Sequence, residues 1–314
     1  MAKAKSKSKS KVCFEGVMAA LPTPLEDNGE IKVKTVKKLI DHLLDEGLYG
    51  FYVTGATGEG ACLSAKKREV MVNAAIEANA GRGKMIIHIG SIDPYEAMEL
   101  TRQATKAGAD GVSAVPPNYM FEYDADEICE YYTRLAGETD LPLLMYATQK
   151  TVALDVNGII ERLLAVPNII GAKDTRANYY KMWQLKQLNG GDVNVINGPD
   201  ETLICGLMMG ADGGIGSTYN VMPRWFSELY KAFRAGKIDE AREIQTKINY
   251  GIEALLRLGR GNTVRSVKAA LTLQGYDMGP AVYPAGHCSD DEMKYIKKEE
   301  KRFMKNMLEK KIFL

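Results

Sequence analysis

The sequence predicts a (β/α)8 barrel with extra C-terminal helices, and three observations carry that prediction. Eight short runs are almost entirely apolar, without the alternation expected of strands that have one face in water. Amphipathic stretches of helical length separate most of them, and eight strand–helix units over about 200 residues match the size of such a barrel. The first run leads into Pro22-Thr23-Pro24 instead of a Gly-x-Gly-x-x-Gly turn, which disfavours an open doubly wound sheet.

The predicted elements follow one another in a regular order. The predicted strands are Gly16–Leu21, Tyr49–Thr54, Met85–Ile89, Gly111–Val115, Leu143–Tyr146, Ile169–Lys173, Val193–Asn197 and Gly213–Gly216. The clearest predicted helices are Val33–Glu46, Ala65–Ala80 and Tyr95–Ala107. Asp93 is a candidate helix cap ahead of Pro94, and Glu96 would complete a capping box. Gly108 and Gly210 begin identical Gly-Ala-Asp-Gly turns, where glycine ends a helix in the left-handed conformation.

The chain divides into three predicted parts. Residues 1–13 read as a disordered basic tail, with organelle targeting as the alternative, because they contain no apolar segment that could make a signal peptide. Residues 14–222 form the barrel. Residues 223–314 supply the final barrel helix and a helical extension, with amphipathic stretches at Ile238–Leu258 and Asn262–Leu273 and a charged one at Asp290–Lys311.

Composition excludes several classes of function. The 41 basic and 40 acidic residues nearly cancel, so nothing favours binding of nucleic acid. No apolar run is long enough to span a membrane. Five scattered cysteines are typical of free thiols in a reducing cytoplasm, and three distant histidines argue against a metal site. We therefore expect a cytoplasmic protein without a metal or cofactor that acts on a small molecule.

Two polar residues end neighbouring predicted strands. Lys173 ends the sixth strand and Tyr146 the fifth, and the 27 residues between them are one strand–helix unit. Adjacent strands lie about 5 Å apart, so an amine and a phenol meet at the C-terminal mouth of the barrel, where barrel enzymes carry their chemistry. A lysine there must be solvated, neutralised or used, and escape into solvent is the alternative to a catalytic role.

Other strand ends add groups that suit a small anionic substrate. The second strand ends in the glycine-rich turn Thr54–Gly60, whose N–H groups can cradle an anion, although it has no lysine that would make it a phosphate loop. The seventh ends in Gly198-Pro199-Asp200-Glu201, where a helix N-terminus also explains at least one carboxylate. An uncharged lysine amine attacks carbonyl carbons, and a nearby tyrosine can move the hydroxyl proton. The residues alone therefore predict a metal-independent aldolase or lyase of the imine type.

At these residues the chain resembles the dihydrodipicolinate synthase/N-acetylneuraminate lyase family of class I pyruvate aldolases, over roughly residues 14–285. The motifs are the Gly55–Glu59 turn, Tyr146, the Gly-x-Lys-x-Thr of Gly171–Thr175 and the Gly-x-Asp-Glu of Gly198–Glu201. The resemblance implies that Lys173 forms the Schiff base, that Tyr146 shuttles the proton and that the Ala56-Thr57 turn receives the pyruvate carboxylate. It also implies a homotetramer in which Tyr119 reaches a neighbouring subunit's site.

Within the family the chain looks closer to the lyases. There the positions of Gly198, Asp200, Glu201 and Ser217 hold the sugar tail and Thr175 lies beside the lysine. The synthase branch has an arginine for its second substrate where this chain has Thr151. The chain departs from the lyases at Ala56, where they have a hydroxyl residue, and it lacks the family's proline and glycine after Tyr146.

The resemblance implies reversible cleavage of N-acetylneuraminate, or of a similar 2-keto-3-deoxy sugar acid, to pyruvate and an aldehyde sugar. Dihydrodipicolinate synthase or another keto-deoxy-sugar-acid aldolase is the enzymatic alternative. A catalytically silent protein that binds a keto acid is the alternative of another class.

Overall fold

The computed structural model of the chain describes residues 11–117, 121–151, 153–257 and 262–308. Eight parallel strands close into a barrel in which each strand pairs with the next and β8 returns to β1. The strands are β1 Gly16–Ala20, β2 Gly50–Val53, β3 Lys84–His88, β4 Gly111–Ala114, β5 Leu143–Ala147, β6 Ile169–Asp174, β7 Asn194–Asn197 and β8 Gly213–Gly216. These bounds differ from the predicted ones by no more than one residue at either end. The barrel prediction is confirmed.

Helices alternate with the strands and then continue past them. Those of the barrel are α1 Val33–Asp45, α2 Ala65–Asn79, α3 Pro94–Ala107, α4 Ala125–Gly137, α5 Val156–Leu163, α6 Tyr179–Gln187, α7 Leu203–Met208 and α8 Pro223–Arg234. The extra helices are α9 Ile238–Leu256, α10 Thr263–Leu273 and α11 Asp290–Leu308. All three lie where the amphipathic and charged stretches predicted them. In the part of the chain that the structure describes, no helix has the length and apolarity needed to cross a membrane.

Local sequence signals set the ends of these helices. The Asp93 side chain accepts a hydrogen bond from the Tyr95 N–H at 2.9 Å and so caps α3, as predicted. The predicted capping box is wrong, because the Glu96 carboxylate accepts from the Ser91 hydroxyl instead, and the Asp93 N–H donates to that same hydroxyl oxygen. Gly108 ends α3 with φ +89°, as the left-handed turn requires.

The apolar core of the barrel has two layers, and a third, smaller cluster lies among the C-terminal helices. One lies between the strands and the surrounding helices, and the other fills the barrel itself. The inner layer runs from Phe14 at the N-terminal end to Tyr52 and Tyr146, with aliphatic side chains such as Ile86 and Ile215 between them. Because this interior is filled, the C-terminal mouth is the place where polar side chains can gather around a ligand.

The first described residues are joined to the barrel rather than separate from it. The Lys11 amine donates to the carbonyl oxygens of Val166 and Ile169 at 3.1 and 2.8 Å, and its backbone N–H donates to Asp192 at 2.7 Å. Residues 11–13, assigned above to the basic tail, therefore belong with the barrel. The tail prediction for residues 1–10 lies outside the described residues, as does Tyr119.

Candidate active site

Lys173 lies inside the barrel mouth and does not extend into solvent. It occupies the fifth position of β6 and is 5% exposed. Its Nζ lies 4.4 Å from the centroid of the Tyr52 ring and 4.3 Å from that of the Tyr146 ring. Among the described residues no carboxylate lies within the 4.0 Å of an ion pair with this amine. The solvent-escape interpretation is therefore wrong.

Tyr146 is the direct neighbour that the strand spacing predicts. Its Cα pairs with that of Lys173 in the β5–β6 ladder. The ring is 7% exposed and meets the rings of Tyr52 and His88 edge to face, with centroids 5.9 and 6.0 Å apart. A phenol and an amine thus share one enclosed space, which is the arrangement that imine chemistry with proton transfer requires.

His88 is a site residue that sequence reasoning missed. It ends β3, and its Nε2 accepts a hydrogen bond from the Val115 N–H at 3.3 Å. Burial, reinforced by the positive charges of Arg68 and Lys173, lowers the pKa of His88 to about 3. The ring is therefore neutral at physiological pH. The signal in the sequence is its place at the end of a predicted apolar strand, the same kind of place that Lys173 and Tyr146 occupy.

The turn after β2 is shaped by unusual backbone conformations. Thr54 and Glu59 both have φ +56°, which is rare for residues with side chains. Gly60 passes so close to Thr54 that a Cβ there would lie 1.9 Å from the Thr54 carbonyl oxygen, so only glycine fits. In this turn Ala56 is exposed and Thr57 is buried. The predicted carboxylate cradle therefore offers backbone N–H groups and one hydroxyl, but no side-chain donor at Ala56.

Glu59 links this turn to the C-terminal extension, a contact that the sequence did not reveal. One carboxylate oxygen accepts from Lys268 of α10 at 2.6 Å, and the other accepts from the Val282 N–H at 2.7 Å. Lys268 also donates to the Pro280 carbonyl oxygen at 2.8 Å. Its side chain is 1% exposed, and burial lowers the pKa of Lys268 while Glu59 opposes that effect. The loop from Pro280 to Ala285 is thereby fixed beside the β2 turn.

One carboxylate oxygen of Asp200, Oδ2, binds neighbouring groups at the end of β8. It accepts hydrogen bonds from the Thr218 N–H and hydroxyl at 2.7 and 2.6 Å and from the Ser217 hydroxyl at 3.2 Å. Burial raises the pKa of Asp200, and the Thr218 hydrogen bonds oppose the rise. The Ser217 hydroxyl is thereby held against Asp200. Glu201, by contrast, is exposed.

The ends of β6 and β7 lie in close contact. A Cβ at Gly198 would lie 2.0 Å from the Thr175 Oγ1, so glycine is required there. That oxygen is buried and has no hydrogen-bond partner among the described residues. Asp174, next to Lys173, forms a buried ion pair with Arg176 at 2.6 Å. This pair, also missed from the sequence, fixes the strand end that carries the lysine and neutralises the carboxylate that follows it in the chain.

A cavity of about 570 Å3 opens at the mouth. Its wall includes Ala56, His88 and Tyr146 from the barrel, and Val282 and Tyr283 from the C-terminal loop. The volume suits a small organic ligand. Within the described ranges, no cluster of three or more histidine, cysteine or acidic side chains could hold a metal ion.

Residues 13–302 match the model of the dihydrodipicolinate synthetase family. The chain belongs to this family. It is 34% identical over 274 residues to an N-acetylneuraminate lyase of Rhizobium meliloti, covering 86% of this chain and 89% of the relative. It is 33% identical to the N-acetylneuraminate lyase of Escherichia coli over 248 residues, which are 78% of this chain and 83% of that one.

Solved structures of the family share the fold. The sialic acid aldolase of Ruminococcus gnavus superposes with a TM-score of 0.89 at 26% identity, covering 94% of this chain and 99% of that one. The protein CdNal of Clostridium difficile, in complex with mannosamine, gives a TM-score of 0.87 at 28% identity, with 93% and 100% covered. This protein is thus similar to carbon–carbon lyases along nearly its whole length.

Proposed function

We propose that this protein is a Schiff-base aldolase that cleaves N-acetylneuraminate, or a similar 2-keto-3-deoxy sugar acid, reversibly to pyruvate and an aldehyde sugar. The observation that carries the proposal is the Lys173 amine, buried against the Tyr52 and Tyr146 rings at the mouth of the barrel. A nucleophilic amine in a dry site beside a phenol suits this chemistry. The names of the relatives support it, and a catalytic-lysine mutant of the Ruminococcus gnavus aldolase superposes equally well.

The proposed reaction uses two side chains. The Lys173 amine attacks the C2 keto carbon and water leaves, which gives a protonated imine that can accept electrons. Tyr146 removes the proton from the C4 hydroxyl as the C3–C4 bond breaks, so the aldehyde departs and the bonding electrons form an enamine. Protonation of the enamine at C3 and hydrolysis of the imine then release pyruvate and restore the free lysine.

The substrate would lie along the strand ends. Its carboxylate would bind the Ala56-Thr57 turn, and its hydroxylated tail would lie along Gly198, Glu201 and Ser217. Asp200 would act on the tail chiefly by orienting Ser217, since both of them share a hydrogen bond. Thr175 would lie beside the lysine, with its Oγ1 buried against Gly198.

One structural observation favours a lyase over the synthase. Thr151, at the position of the synthase arginine, is 4% exposed. Its hydroxyl donates to the Thr148 carbonyl oxygen at 2.7 Å and accepts from the Thr148 N–H at 3.0 Å. A side chain held in this way, without charge, has nothing with which to bind a second substrate's carboxylate.

We further propose a cytoplasmic homotetramer that binds neither membrane nor nucleic acid and needs no cofactor. The free state of all five cysteines supports the compartment, because a reducing cytoplasm keeps thiols unpaired. The near-neutral net charge of +1 supports the absence of nucleic acid among its partners. Tyr119 would reach the neighbouring subunit's site in this assembly.

Borohydride trapping tests the imine. Incubation with pyruvate and borohydride, followed by peptide mass spectrometry, should label Lys173, and Lys173→Met should abolish both labelling and turnover. Lys181, exposed on α6, provides the control variant Lys181→Met, which should be labelled as the wild type is. An unlabelled Lys173 would overturn the imine mechanism.

Pyruvate release from a panel of sugar acids tests the substrate. Turnover of N-acetylneuraminate is expected. Inactivity on it, with turnover of another 2-keto-3-deoxy acid or condensation of pyruvate with an aldehyde, would move the assignment to the aldolase or synthase alternative. Imine formation without any carbon–carbon cleavage or condensation would indicate a keto-acid-binding protein.

A further inference from the structure

Two tyrosine rings lie against the amine of Lys173, and a histidine ring packs against both of them. Tyr52 of β2, His88 of β3 and Tyr146 of β5 pack against one another with all three centroid distances between 5.9 and 6.0 Å. The amine lies within 4.4 Å of the centroids of the two tyrosine rings. None of the proposed steps uses Tyr52 or His88, yet both are buried beside the proposed nucleophile.

We propose that Tyr52 and His88 are positioning residues of the Schiff-base step, in which Tyr52 supplies one face of an aromatic cage for the cationic lysine and His88 holds both tyrosine rings in place. The inference rests on the proposed function of Lys173. It adds two residues to that function that the catalytic motifs do not contain.

The cage stabilises a positive charge at a lysine that is buried away from water. A buried amine loses the water that stabilises its charge, and the protonated imine that drives bond cleavage carries the same charge. The negative face of an aromatic ring attracts such a cation, by about 0.5–2 kcal/mol for each ring. An aromatic ring stabilises the cation more weakly than a carboxylate would, and it has no basic oxygen to hold the ammonium proton. The amine can therefore still lose its proton. The ring is also apolar, so it keeps the site dry.

Tyr52 is held in the orientation that the cage needs. It is 0% exposed, and its hydroxyl donates to the Ser113 Oγ at 3.1 Å. This hydrogen bond anchors the far end of the ring to β4, whereas the ring face lies toward Lys173. The hydroxyl is thus occupied by Ser113, and the ring face is the part of Tyr52 that acts on the lysine.

His88 fits the cage because it is neutral. Its Nε2 accepts the Val115 N–H, so that nitrogen carries no proton. Arg68 donates to the His88 and Gly90 carbonyl oxygens at 2.5 and 2.8 Å, which fixes the strand end that bears the ring. A charged imidazolium would repel the protonated imine. A neutral ring at the same place only packs.

Several charged and titratable groups lie near Lys173 in the described part of the chain. The Lys173 charge helps to lower the pKa of His88 and opposes the burial that raises the pKa of Asp200. Tyr146 and Tyr52 face Lys173 from β5 and β2, and Asp174 on its own strand is paired with Arg176. A change confined to the Tyr52 ring leaves all the remaining groups in place, so its effect on the lysine can be read separately.

The experiment measures imine formation between pyruvate and Lys173 as a function of pH, by borohydride trapping and mass spectrometry. Tyr52→Leu removes one ring face from the ammonium form, so the acid limb of the profile should move to lower pH by roughly half to one and a half units. Tyr52→Phe keeps the ring and loses the Ser113 hydrogen bond, so its acid limb should match that of the wild type.

Two results would overturn the role of Tyr52. One is a Tyr52→Leu profile whose acid limb coincides with the wild type. The other is an acid limb moved to higher pH, which would mean that the ring serves only to exclude water. If the leucine variant does not fold, Tyr52→Met replaces it, because methionine also lacks a ring and its side chain is flexible. The same shift of the acid limb is expected for it.

The role of His88 is tested with variants that remove or restore a neutral ring at this position. His88→Leu should slow trapping roughly ten- to a hundredfold at saturating pyruvate, because displacement of a reacting group by about 1 Å has costs of that size. His88→Phe restores a neutral ring and should recover most of the rate with an unchanged acid limb. Equal rates for His88→Leu and the wild type would refute this part of the proposal. Failure of the wild type itself to trap would refute the proposed function instead.

Discussion

At the scale of single residues, the ring and the hydroxyl of Tyr146 have separable roles. Tyr146→Phe keeps the ring face against Lys173 but removes the group proposed to take the C4 proton. Imine formation with pyruvate should therefore persist. Cleavage of the sugar acid should fall about 10²- to 10⁴-fold, the usual contribution of a general acid–base group. Trapping and steady-state pyruvate release on the same preparation measure the two effects.

Tyr131 offers a matched control for this variant. It is a buried tyrosine on α4, away from the mouth of the barrel. Tyr131→Phe should leave cleavage within a few-fold of the wild type. If Tyr146→Phe cleaved the sugar acid as fast as Tyr131→Phe, another group would have to move the proton.

The site residues differ in how visible they are in the sequence. Lys173 and Tyr146 could be predicted because they end apolar runs that are one strand–helix unit apart. Tyr52 lies inside such a run and looks like any other core residue. Its ring becomes part of the site only because barrel closure brings β2 and β6 to face each other across the interior, a relation that is not local in sequence. Asp200 was predicted for the right region, but its partners Ser217 and Thr218 appear only in the structure.

At the scale of elements, the Glu59–Lys268 pair joins the β2 turn to α10. Lys268→Met removes the cation that pairs with Glu59, whose side chain is only 9% exposed. The loss of one partner of a buried pair costs about 3–5 kcal/mol. The free energy of unfolding in urea should fall by about that amount. Because the Pro280–Ala285 loop borders the cavity, KM for the sugar acid should rise as well.

The exposed pair between Glu253 of α9 and Arg257, which follows the end of that helix, is the control for this prediction. Arg257→Met should cost less than about 1 kcal/mol, as surface pairs do. The double variant Glu59→Gln/Lys268→Met should be more stable than Lys268→Met, since it leaves no unpaired charge. A cost for Lys268→Met as small as that for Arg257→Met would mean that solvent already reaches the pair.

The Glu59–Lys268 pair could not be predicted from the helices and strands taken one at a time. The charged run located α11, and periodicity located α9 and α10, because each of these two has an apolar face of helical period. Periodicity did not show what those faces cover. Glu59 and Lys268 are 209 positions apart. No local pattern relates them. From the sequence alone the Lys268 side chain would be placed on the solvent-exposed face of its helix, because its burial depends on how that helix packs against the barrel.

At the scale of the whole molecule, the barrel was predictable because its determinants repeat. Each strand needs an apolar run buried on both faces, and each helix an amphipathic stretch and a turn such as Gly108 or Gly210. Eight repetitions leave few alternative folds. The contacts that occur only once were not predictable, namely the attachment of Lys11 to the N-terminal face and the closure of the aromatic cage.

One such contact, the burial of His88, should make the stability of the entire fold depend on pH. The pKa of His88 is about 3 in the folded protein and near 6.5 when the ring is in water. As pH falls below 6.5, His88 binds a proton in the unfolded chain but stays neutral in the folded chain. The free energy of unfolding therefore decreases. His88 alone should remove about 2–3 kcal/mol between pH 7.5 and 4.5, at no more than about 1.4 kcal/mol per pH unit.

The comparison of the wild type with His88→Phe isolates this contribution. Urea unfolding of both proteins at equal concentration across that pH range gives a stability difference from which the other titrating groups cancel. Among them is Asp200, whose raised pKa acts in the opposite direction, because the folded state binds its proton more readily as pH falls. The difference should shift in favour of His88→Phe as pH decreases. A difference that stays constant from pH 7.5 to 4.5 would show that His88 titrates alike in the folded and unfolded chains, and that water or a mobile loop reaches the ring.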